Sequence, residues 1–198
     1  YLLCASPERF LSKINSTIFS QPIKGTAPRH ANTYLDKMEE KKLYENKKER
    51  SENVMIVDLV RNDFSKICNE GSVETEELFG IYSFPQVNQM ISTIKGELKQ
   101  NISFAEIIKA AFPMGSMTGA PKYRAMQLIE QYEKTKRQLF SGSIGYITPK
   151  KDFDFNLVIR SIFYNTTNKF LNFLLGSAVT FYADAENEYE DCMLNAKA

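Results

Sequence analysis

The 198-residue chain has 25 basic and 24 acidic residues, and 43% of its residues are hydrophobic. This hydrophobic fraction can fill a sizeable core and is not typical of a disordered chain, and a near-zero net charge gives no bulk electrostatic basis for binding nucleic acid. No run of 18 apolar residues predicts a membrane span. Three widely spaced cysteines and a single histidine predict neither a zinc site nor a disulfide framework, and they favour a reducing cytosol.

The predicted elements mix strands and helices without regular alternation. In chain order we expect a strand within residues 1–12, a turn-rich stretch at 22–29, a helix at 33–50 continuing through 54–63, strands at 73–79 and 87–98, helices at 103–111 and 120–134, strands at 142–148, 153–164 and 169–181, and an acidic helix from about residue 185. Segment 54–63 could be a strand or a helix by propensity, and its apolar positions follow the helical period, which favours a helix. Thr118 to Ala120 are expected to cap the helix at 120–134, with Pro121 in its first turn. This order predicts an α+β fold with largely antiparallel sheet.

Two pairs of carboxylates are spaced three residues apart on predicted helices. They are Glu49 with Glu52, and Glu188 with Asp191. This spacing places both members of a pair on one helix face, and carboxylate oxygens are ligands that suit Mg²⁺. A metal shared by two helices could therefore hold a carboxylate substrate. The alternative is that these pairs are simply solvated surface of helices rich in Glu and Lys.

Three further features could bind or attack a substrate. The segment Phe112–Lys122 is a glycine-rich loop leading into a helix, which can be an anion cradle or an ordinary capping turn. Arg160 interrupts an apolar run that we expect to be a strand, where it could capture a carboxylate or lie at an edge as a structural residue. Lys24 lies on a predicted turn, where a surface lysine is the default, and in an enclosed apolar setting it could instead act as a nucleophile.

The order of five segments along the chain is more specific than any one of them. They are Pro22–Arg29 (PIKGTAPR), Met55–Asp63 (MIVDLVRND), Gly115–Lys122 (GSMTGAPK), Gly142–Tyr146 (GSIGY) and Ile159–Ser161 (IRS). Together they resemble the chorismate-utilising enzymes, a family that includes component I of aminodeoxychorismate synthase and of anthranilate synthase. The resemblance covers essentially the whole chain. It implies a large α/β sandwich in which two mainly antiparallel sheets are flanked by helices.

The resemblance also implies the extent of the chain and its site. Residues 1–198 are expected to form one chorismate-binding catalytic domain, a fragment that lacks an N-terminal subdomain and a final C-terminal helix. Mg²⁺ would be the cofactor, with Glu52 and Asp191 at the metal and Glu49 and Glu188 beside it. The substrate-binding residues implied by the resemblance are Thr26, Tyr146, Arg160 and Gly176.

Lys24 indicates the branch of the family. Anthranilate synthases usually have alanine at this position, whereas aminodeoxychorismate synthases usually have lysine, which is thought to attack C2 of the ring before ammonia enters at C4. The resemblance therefore implies amination of chorismate to 4-amino-4-deoxychorismate, for para-aminobenzoate and folate synthesis.

Gln89 occupies the place of a histidine implicated in proton transfer in anthranilate synthases, and glutamine can hydrogen-bond a leaving hydroxyl but cannot be an acid. Asp191 replaces the usual Glu and reaches about one methylene less far.

Two alternatives remain. One is anthranilate synthase component I, and the other is a non-catalytic subunit that binds an amidotransferase and chorismate without turnover. With His30 as its single histidine, the sequence contains no Cys/His pair that could hydrolyse glutamine. Ammonia is therefore expected from solution or from a glutamine amidotransferase, as a separate subunit or a fused domain. Neither nucleic acid nor a membrane is expected as a partner.

Overall fold

The protein is described by a computed structural model that covers residues 1–179 and 183–196, without the side chains of residues 187, 191, 194 and 195. Its strands are β1 (Leu2–Cys4), β2 (Arg9–Ile14), β3 (Thr17–Gln21), β4 (Ile23–Pro28), β5 (Glu74–Ser83), β6 (Val87–Glu97), β7 (Ser143–Ile147), β8 (Phe153–Leu157), β9 (Ser161–Asn165) and β10 (Phe170–Phe173). Its helices are α1 (Thr33–Glu45), α2 (Lys47–Ile67), α3 (Phe104–Ala111), α4 (Lys122–Tyr132) and α5 (Ala185–Asn195), with a short 3-10 turn at Gly115–Met117.

Two antiparallel sheets organise the described residues, as predicted. The larger sheet has the order β4-β6-β3-β2-β8-β7, and the smaller one has the order β1-β9-β10. Strand β6 is the central strand of the larger sheet. Strands β3 and β4 pair with successive segments of one of its edges, and β5 pairs with its other edge. Every pairing is antiparallel, which agrees with the predicted fold class.

Helix α2 supplies much of the core that supports the site. Asn46 caps its N-terminus by accepting hydrogen bonds from the amides of Lys48 and Glu49. Residues on one face of the helix then recur with the helical period and are buried against the large sheet and α3. These buried residues are Ile56, Val57, Val60, Phe64 and Ile67. The packing fixes the first turns of α2, where Glu49 and Glu52 lie.

The first half of the chain contains more strand than we predicted. Segment 22–29 was expected to be turn-rich, and it contains β4, whose pairing with β6 outweighs the local turn signals of Pro22 and Gly25. The strand expected within residues 1–12 is two strands in different sheets, and β3 was not predicted. The single helix expected at 33–50 is interrupted at Asn46, whereas the helix at 54–63 is confirmed within α2.

Three predictions for the second half were wrong. The strand expected at 153–164 is divided into β8 and β9, because Arg160 has a φ of 48° and the chain passes there from the large sheet to the small one. The expected cap of α4 is also absent from residues 118–120: Thr118 donates its hydroxyl hydrogen bond to Met114 O (3.0 Å), and Pro121 is the N-cap residue. The strand expected at 169–181 is shorter, because β10 ends at Phe173 and residues 174–179 are not in a strand; residues 180 and 181 lie outside the described residues.

Candidate active site

A buried carboxylate, Glu8, lies among the predicted site residues. It directly precedes β2, is 4% exposed, and is fixed by the hydrogen bond that the amide of Leu157 donates to its backbone carbonyl (3.0 Å). Burial raises the pKa of the Glu8 carboxyl, and the neighbouring Ser116, Lys24 and Arg160 oppose this shift without cancelling it. Glu8 thus has the environment of an acid that keeps its proton at a higher pH than usual.

Glu8 and Ser116 both have unused hydrogen-bonding capacity. Within the described residues, neither Glu8 Oε1 nor Ser116 Oγ has a hydrogen-bond partner of ordinary geometry, although the two side chains are neighbours. Buried polar atoms are normally paired. The two groups could therefore accept or donate hydrogen bonds to a hydroxyl of a bound molecule.

Lys24 interacts electrostatically with two carboxyl groups. It is on β4, not on the turn that we predicted. Its charge acts to lower the pKa of Glu8 and the pKa of Glu188 on α5. An amine that is half-buried and close to both an acid and a carboxylate group is well placed to react with a ligand held between them.

Two of the predicted metal ligands, Glu49 and Glu52, begin α2 next to β4. The close approach depends on Gly25, which has a φ of 93°, because a Cβ at this position would be 2.9 Å from Leu43 Cδ1 and 3.2 Å from Glu49 Cβ. Glu52 is 8% exposed. The helix and the strand therefore bring these carboxylates to the side of Lys24 and Thr26.

The third predicted ligand, Glu188, is held by two side chains. Lys48 Nζ donates a hydrogen bond to its Oε1 (2.7 Å), and Ser177 Oγ donates to its Oε2. Burial acts to raise the pKa of Glu188, but the hydrogen bonds from Lys48 and Ser177, and the charges of Lys48 and Lys24, outweigh it and the pKa is lowered. The side chain of the fourth predicted ligand, Asp191, lies outside the described residues.

The side-chain donors of this region are carboxylate oxygens, the type of ligand that suits a divalent cation. Lys48 is a cation that interacts with Glu188, Glu52 and Glu49 together, so the three carboxylates share one region of negative potential. Within the part of the chain that the structure describes, no three His, Cys, Asp or Glu side chains form a group that could hold a metal ion. The Mg²⁺ prediction therefore stays a prediction.

Gln89 and Thr26 are direct partners across β6 and β4, so their side chains are on the same face of the sheet. Gln89 is fully buried, and in the described residues neither its Oε1 nor its Nε2 has a hydrogen-bond partner. An unpaired buried amide is costly. This pair of orphaned atoms is consistent with the predicted contact to a substrate hydroxyl.

The remaining predicted substrate residues lie in different settings. Arg160 is half-buried beside Glu8; burial lowers the pKa of its guanidinium and the charge of Glu8 opposes this. Gly176 is exposed, and a Cβ there would be 3.7 Å from the ring of Phe140. Tyr146 lies on β7 opposite Asp154 with 64% of its surface exposed. The structure thus brings Lys24 and Arg160 to Glu8, and leaves Tyr146 on an exposed strand.

The glycine-rich loop is held in place on both sides of Ser116. A Cβ at Gly115 would be 3.2 Å from Leu59 of α2, so the loop lies tightly on the helix, and Arg137 Nη1 donates a hydrogen bond to Met117 O (2.7 Å). This anchoring holds Ser116, between these two positions, next to Glu8. The loop, which from the sequence could be an anion cradle or an ordinary capping turn, thus contributes a hydroxyl to the site.

Two residues of this cluster, Glu8 and Lys48, were not predicted from the sequence. Glu8 follows Ser6-Pro7, a turn-like context that gives no sign of burial, and Lys48 is one of many charged residues in the helical region 33–50. The available signal for Glu8 was its position two residues before the buried pair Phe10 and Leu11. No local pattern distinguishes Lys48 from its exposed neighbour Lys47.

Comparisons with known proteins identify the family of the chain. A family model described as chorismate binding enzyme matches residues 1–198. The chain belongs to this family. It is 40% identical over 198 residues to a probable chloroplastic aminodeoxychorismate synthase of Oryza sativa subsp. japonica, covering 100% of the chain and 22% of that protein. It is 39% identical over 190 residues to aminodeoxychorismate synthase component 1 of Escherichia coli K12, covering 96% of the chain and 42% of that protein.

Solved structures show the same fold. The chain superimposes on anthranilate synthase component I from Streptococcus pneumoniae with a TM-score of 0.82 and 30% identity, covering 100% of the chain and 43% of that structure. For an isochorismate synthase of Bacillus anthracis the TM-score is 0.88 at 24% identity, covering 99% of the chain and 52% of that structure. The chain spans less than half the length of its curated bacterial relatives. No helix in the described residues has the length and apolar character needed to cross a membrane.

Proposed function

We propose that this chain is the chorismate-aminating core of an aminodeoxychorismate synthase. The observation that carries the proposal is the position of Lys24, which interacts with the buried acid Glu8 and with the carboxylate Glu188. The curated relatives named aminodeoxychorismate synthase support this branch of the family. The odd number of cysteines supports a reducing compartment such as the cytosol.

In the proposed reaction, Lys24 is the nucleophile and Glu8 is the general acid. Lys24, as the free amine, attacks C2 of chorismate; the two ring double bonds shift, and the hydroxyl leaves from C4. Glu8 donates its proton to that hydroxyl, so that water departs, and Ser116 and Gln89 are available to hydrogen-bond it. The attacking nitrogen of Lys24, which carries an extra proton once it is bonded to C2, returns that proton to Glu8. Ammonia then adds at C4, the double bonds return, and Lys24 leaves C2 as the free amine with the proton that the new C4 ammonium group gives up. The sum is chorismate plus ammonia giving 4-amino-4-deoxychorismate plus water.

The substrate is dianionic, and its two carboxylates need cationic partners. Arg160 would bind one of them through its guanidinium. Glu49, Glu52, Glu188 and Asp191 would hold Mg²⁺, which supplies charge neutralisation and orientation for the other. Ammonia would come from a glutamine amidotransferase, because the sequence offers no Cys/His pair for glutamine hydrolysis.

Substitution of Lys24 by Ala tests the proposal directly. We expect the wild-type protein, supplied with chorismate, Mg²⁺ and ammonium, to yield 4-amino-4-deoxychorismate by mass spectrometry. Lys24→Ala should lose this product or divert it towards anthranilate, because the covalent route through C2 is closed. Lys37→Ala, at an exposed position on α1, is the control and should retain wild-type turnover.

The other outcomes separate the alternatives. Anthranilate from the wild-type protein would assign it to the anthranilate synthases and remove the role of Lys24 as nucleophile. Absence of turnover by the folded, full-length, Mg²⁺-loaded protein would favour the non-catalytic subunit.

A further inference from the structure

Lys48 is a charged residue that the proposed reaction does not use. It lies in the first turn of α2, directly before Glu49, and its side chain is 36% exposed. Its Nζ is 2.7 Å from Glu188 Oε1, so it connects α2 to α5. Among the described residues, no other lysine of the helical region 33–50 forms a hydrogen bond or ion pair with α5.

The position of Lys48 opposes the helix dipole. The N-terminus of an α-helix carries a partial positive charge, which disfavours a cation in the first turn. Lys48 nevertheless points to the region shared by Glu49, Glu52 and Glu188 and interacts with each of their charges. The attraction of the carboxylates therefore exceeds the repulsion of the helix end.

The ammonium group of Lys48 would compete with a divalent metal ion for Glu188. The ammonium group uses an oxygen of Glu188 that Mg²⁺ would need as a direct or water-mediated ligand, and two neighbouring cations repel each other. Without either cation, the carboxylates would repel one another.

We infer that Lys48 is an internal counter-cation that occupies the carboxylate cluster in the metal-free protein and must leave Glu188 when a divalent cation binds. Lys48 thereby lowers the affinity for the metal and stabilises the metal-free state. The inference rests on the metal site of the proposed function, and it assigns to Lys48 a positioning role and not a catalytic one.

Substitution of Lys48 by Met, measured by isothermal titration calorimetry with Mg²⁺ alone, tests the inference. Met keeps the length of the side chain and removes its charge. We expect Lys48→Met to bind Mg²⁺ about fivefold more tightly than the wild type, because the metal no longer has to displace the ammonium group from Glu188. Fivefold corresponds to the upper range measured for the strength of a partly exposed ion pair. Lys47→Met is the matched control: it removes the same charge from the exposed neighbouring position, and its affinity should stay within about twofold of wild type.

A second readout does not depend on the calorimetry. In the absence of Mg²⁺ the melting temperature of Lys48→Met should be lower than that of Lys47→Met, and added Mg²⁺ should raise it more. Lys48→Gln, which is neutral but can still donate a hydrogen bond to Glu188, should also bind Mg²⁺ more tightly than wild type, and it replaces Lys48→Met if that variant fails to fold.

The outcomes distinguish this inference from the metal site itself. If wild type, Lys48→Met and Lys47→Met bind Mg²⁺ equally, the role of Lys48 is wrong and the metal site stands. If none of the folded proteins binds Mg²⁺, the metal site of the proposed function is wrong, and the role of Lys48 is wrong with it.

Discussion

Glu8 combines burial with a neighbouring amine, and these two features together define its expected role. Because burial raises the pKa of its carboxyl, a fraction of Glu8 stays protonated at a pH where an exposed carboxyl is ionised. We expect Glu8→Gln to lower turnover of chorismate by about 10²- to 10⁴-fold, the usual contribution of a general acid. Steady-state kinetics should show the loss mainly in kcat, with Glu70→Gln, an exposed change, as the control.

The same substitution has a consequence for stability that depends on pH. A carboxyl with a raised pKa in the folded state stabilises the protein below its unfolded pKa of about 4.3, and this contribution is lost as the pH rises through the folded value. The difference in unfolding free energy between Glu8→Gln and wild type should therefore shift in favour of the variant as the pH rises through that window. A difference that stays constant with pH in urea unfolding would mean that Glu8 titrates normally.

At the residue scale, motif order located more of the site than local chemistry did. Lys24 and Arg160 were identified by the segments that contain them, and the structure brings both to Glu8. Glu8 and Lys48 could not be identified in the same way. Their importance comes from burial and from contacts with residues more than 100 positions away, and neither is encoded in the neighbouring sequence.

At the element scale, an ion pair joins α4, which follows the glycine-rich loop, to α2. Lys122 in the first turn of α4 donates hydrogen bonds from Nζ to Asp63 of α2 and to Ala111 O (3.3 Å). The side chain of Asp63 is 5% exposed, and it also accepts a hydrogen bond from Lys66 (3.1 Å). Lys122 thus ties the start of α4 to α2 and to the last residue of α3, at the two ends of the loop that carries Ser116.

Removal of the Lys122 charge should weaken this connection. We expect Lys122→Met to lower the unfolding free energy by about 2 kcal/mol, the typical value for hydrogen bonds to a buried charged group. Lys66 remains next to Asp63, so the loss should be smaller than for a fully orphaned charge. Urea denaturation is the measurement, and Lys134→Met, an exposed change beyond α4, is the control. A loss no greater than that of the control would mean that the pair is not stabilising.

The elements themselves were predicted unevenly. Helix α2 followed from a periodic apolar pattern, which local sequence encodes directly. Strand β4 was missed because Pro22, Gly25 and Pro28 are typical of turns, and its strand conformation depends on hydrogen bonds to β6, about 65 residues further along the chain. Such long-range pairing is not visible in a local window.

At the scale of the whole molecule, the two antiparallel sheets meet at the site. The α+β class followed from the order of the elements, whereas the two-sheet sandwich was implied by the family resemblance. The sequence did not show that the apolar run around Arg160 belongs to both sheets. Strand β8 of the large sheet ends at Leu157 and β9 of the small sheet begins at Ser161, so the crossing places the guanidinium beside Glu8.

Residue 160 has a backbone with positive φ and a side chain that is proposed to bind substrate, and two substitutions test these features separately. Its φ of 48° is unfavourable for a residue with a Cβ and acceptable for glycine. Its guanidinium is the proposed ligand of a substrate carboxylate. Both Arg160→Ala and Arg160→Gly should therefore raise the KM for chorismate at least about tenfold. Arg160→Gly should exceed Arg160→Ala in unfolding free energy by about 1 kcal/mol, because glycine alone relieves the backbone.

The pair of variants gives a clear answer at each level. Equal stability of Arg160→Ala and Arg160→Gly in urea unfolding would mean that the crossing does not impose the positive φ in solution. An unchanged KM in both variants would mean that Arg160 supports the junction of the sheets without binding the substrate. If the KM rises equally in both variants and Arg160→Ala is less stable than Arg160→Gly, the residue has both roles. Its backbone turns the chain from one sheet to the other, and its side chain binds a carboxylate where the sheets meet.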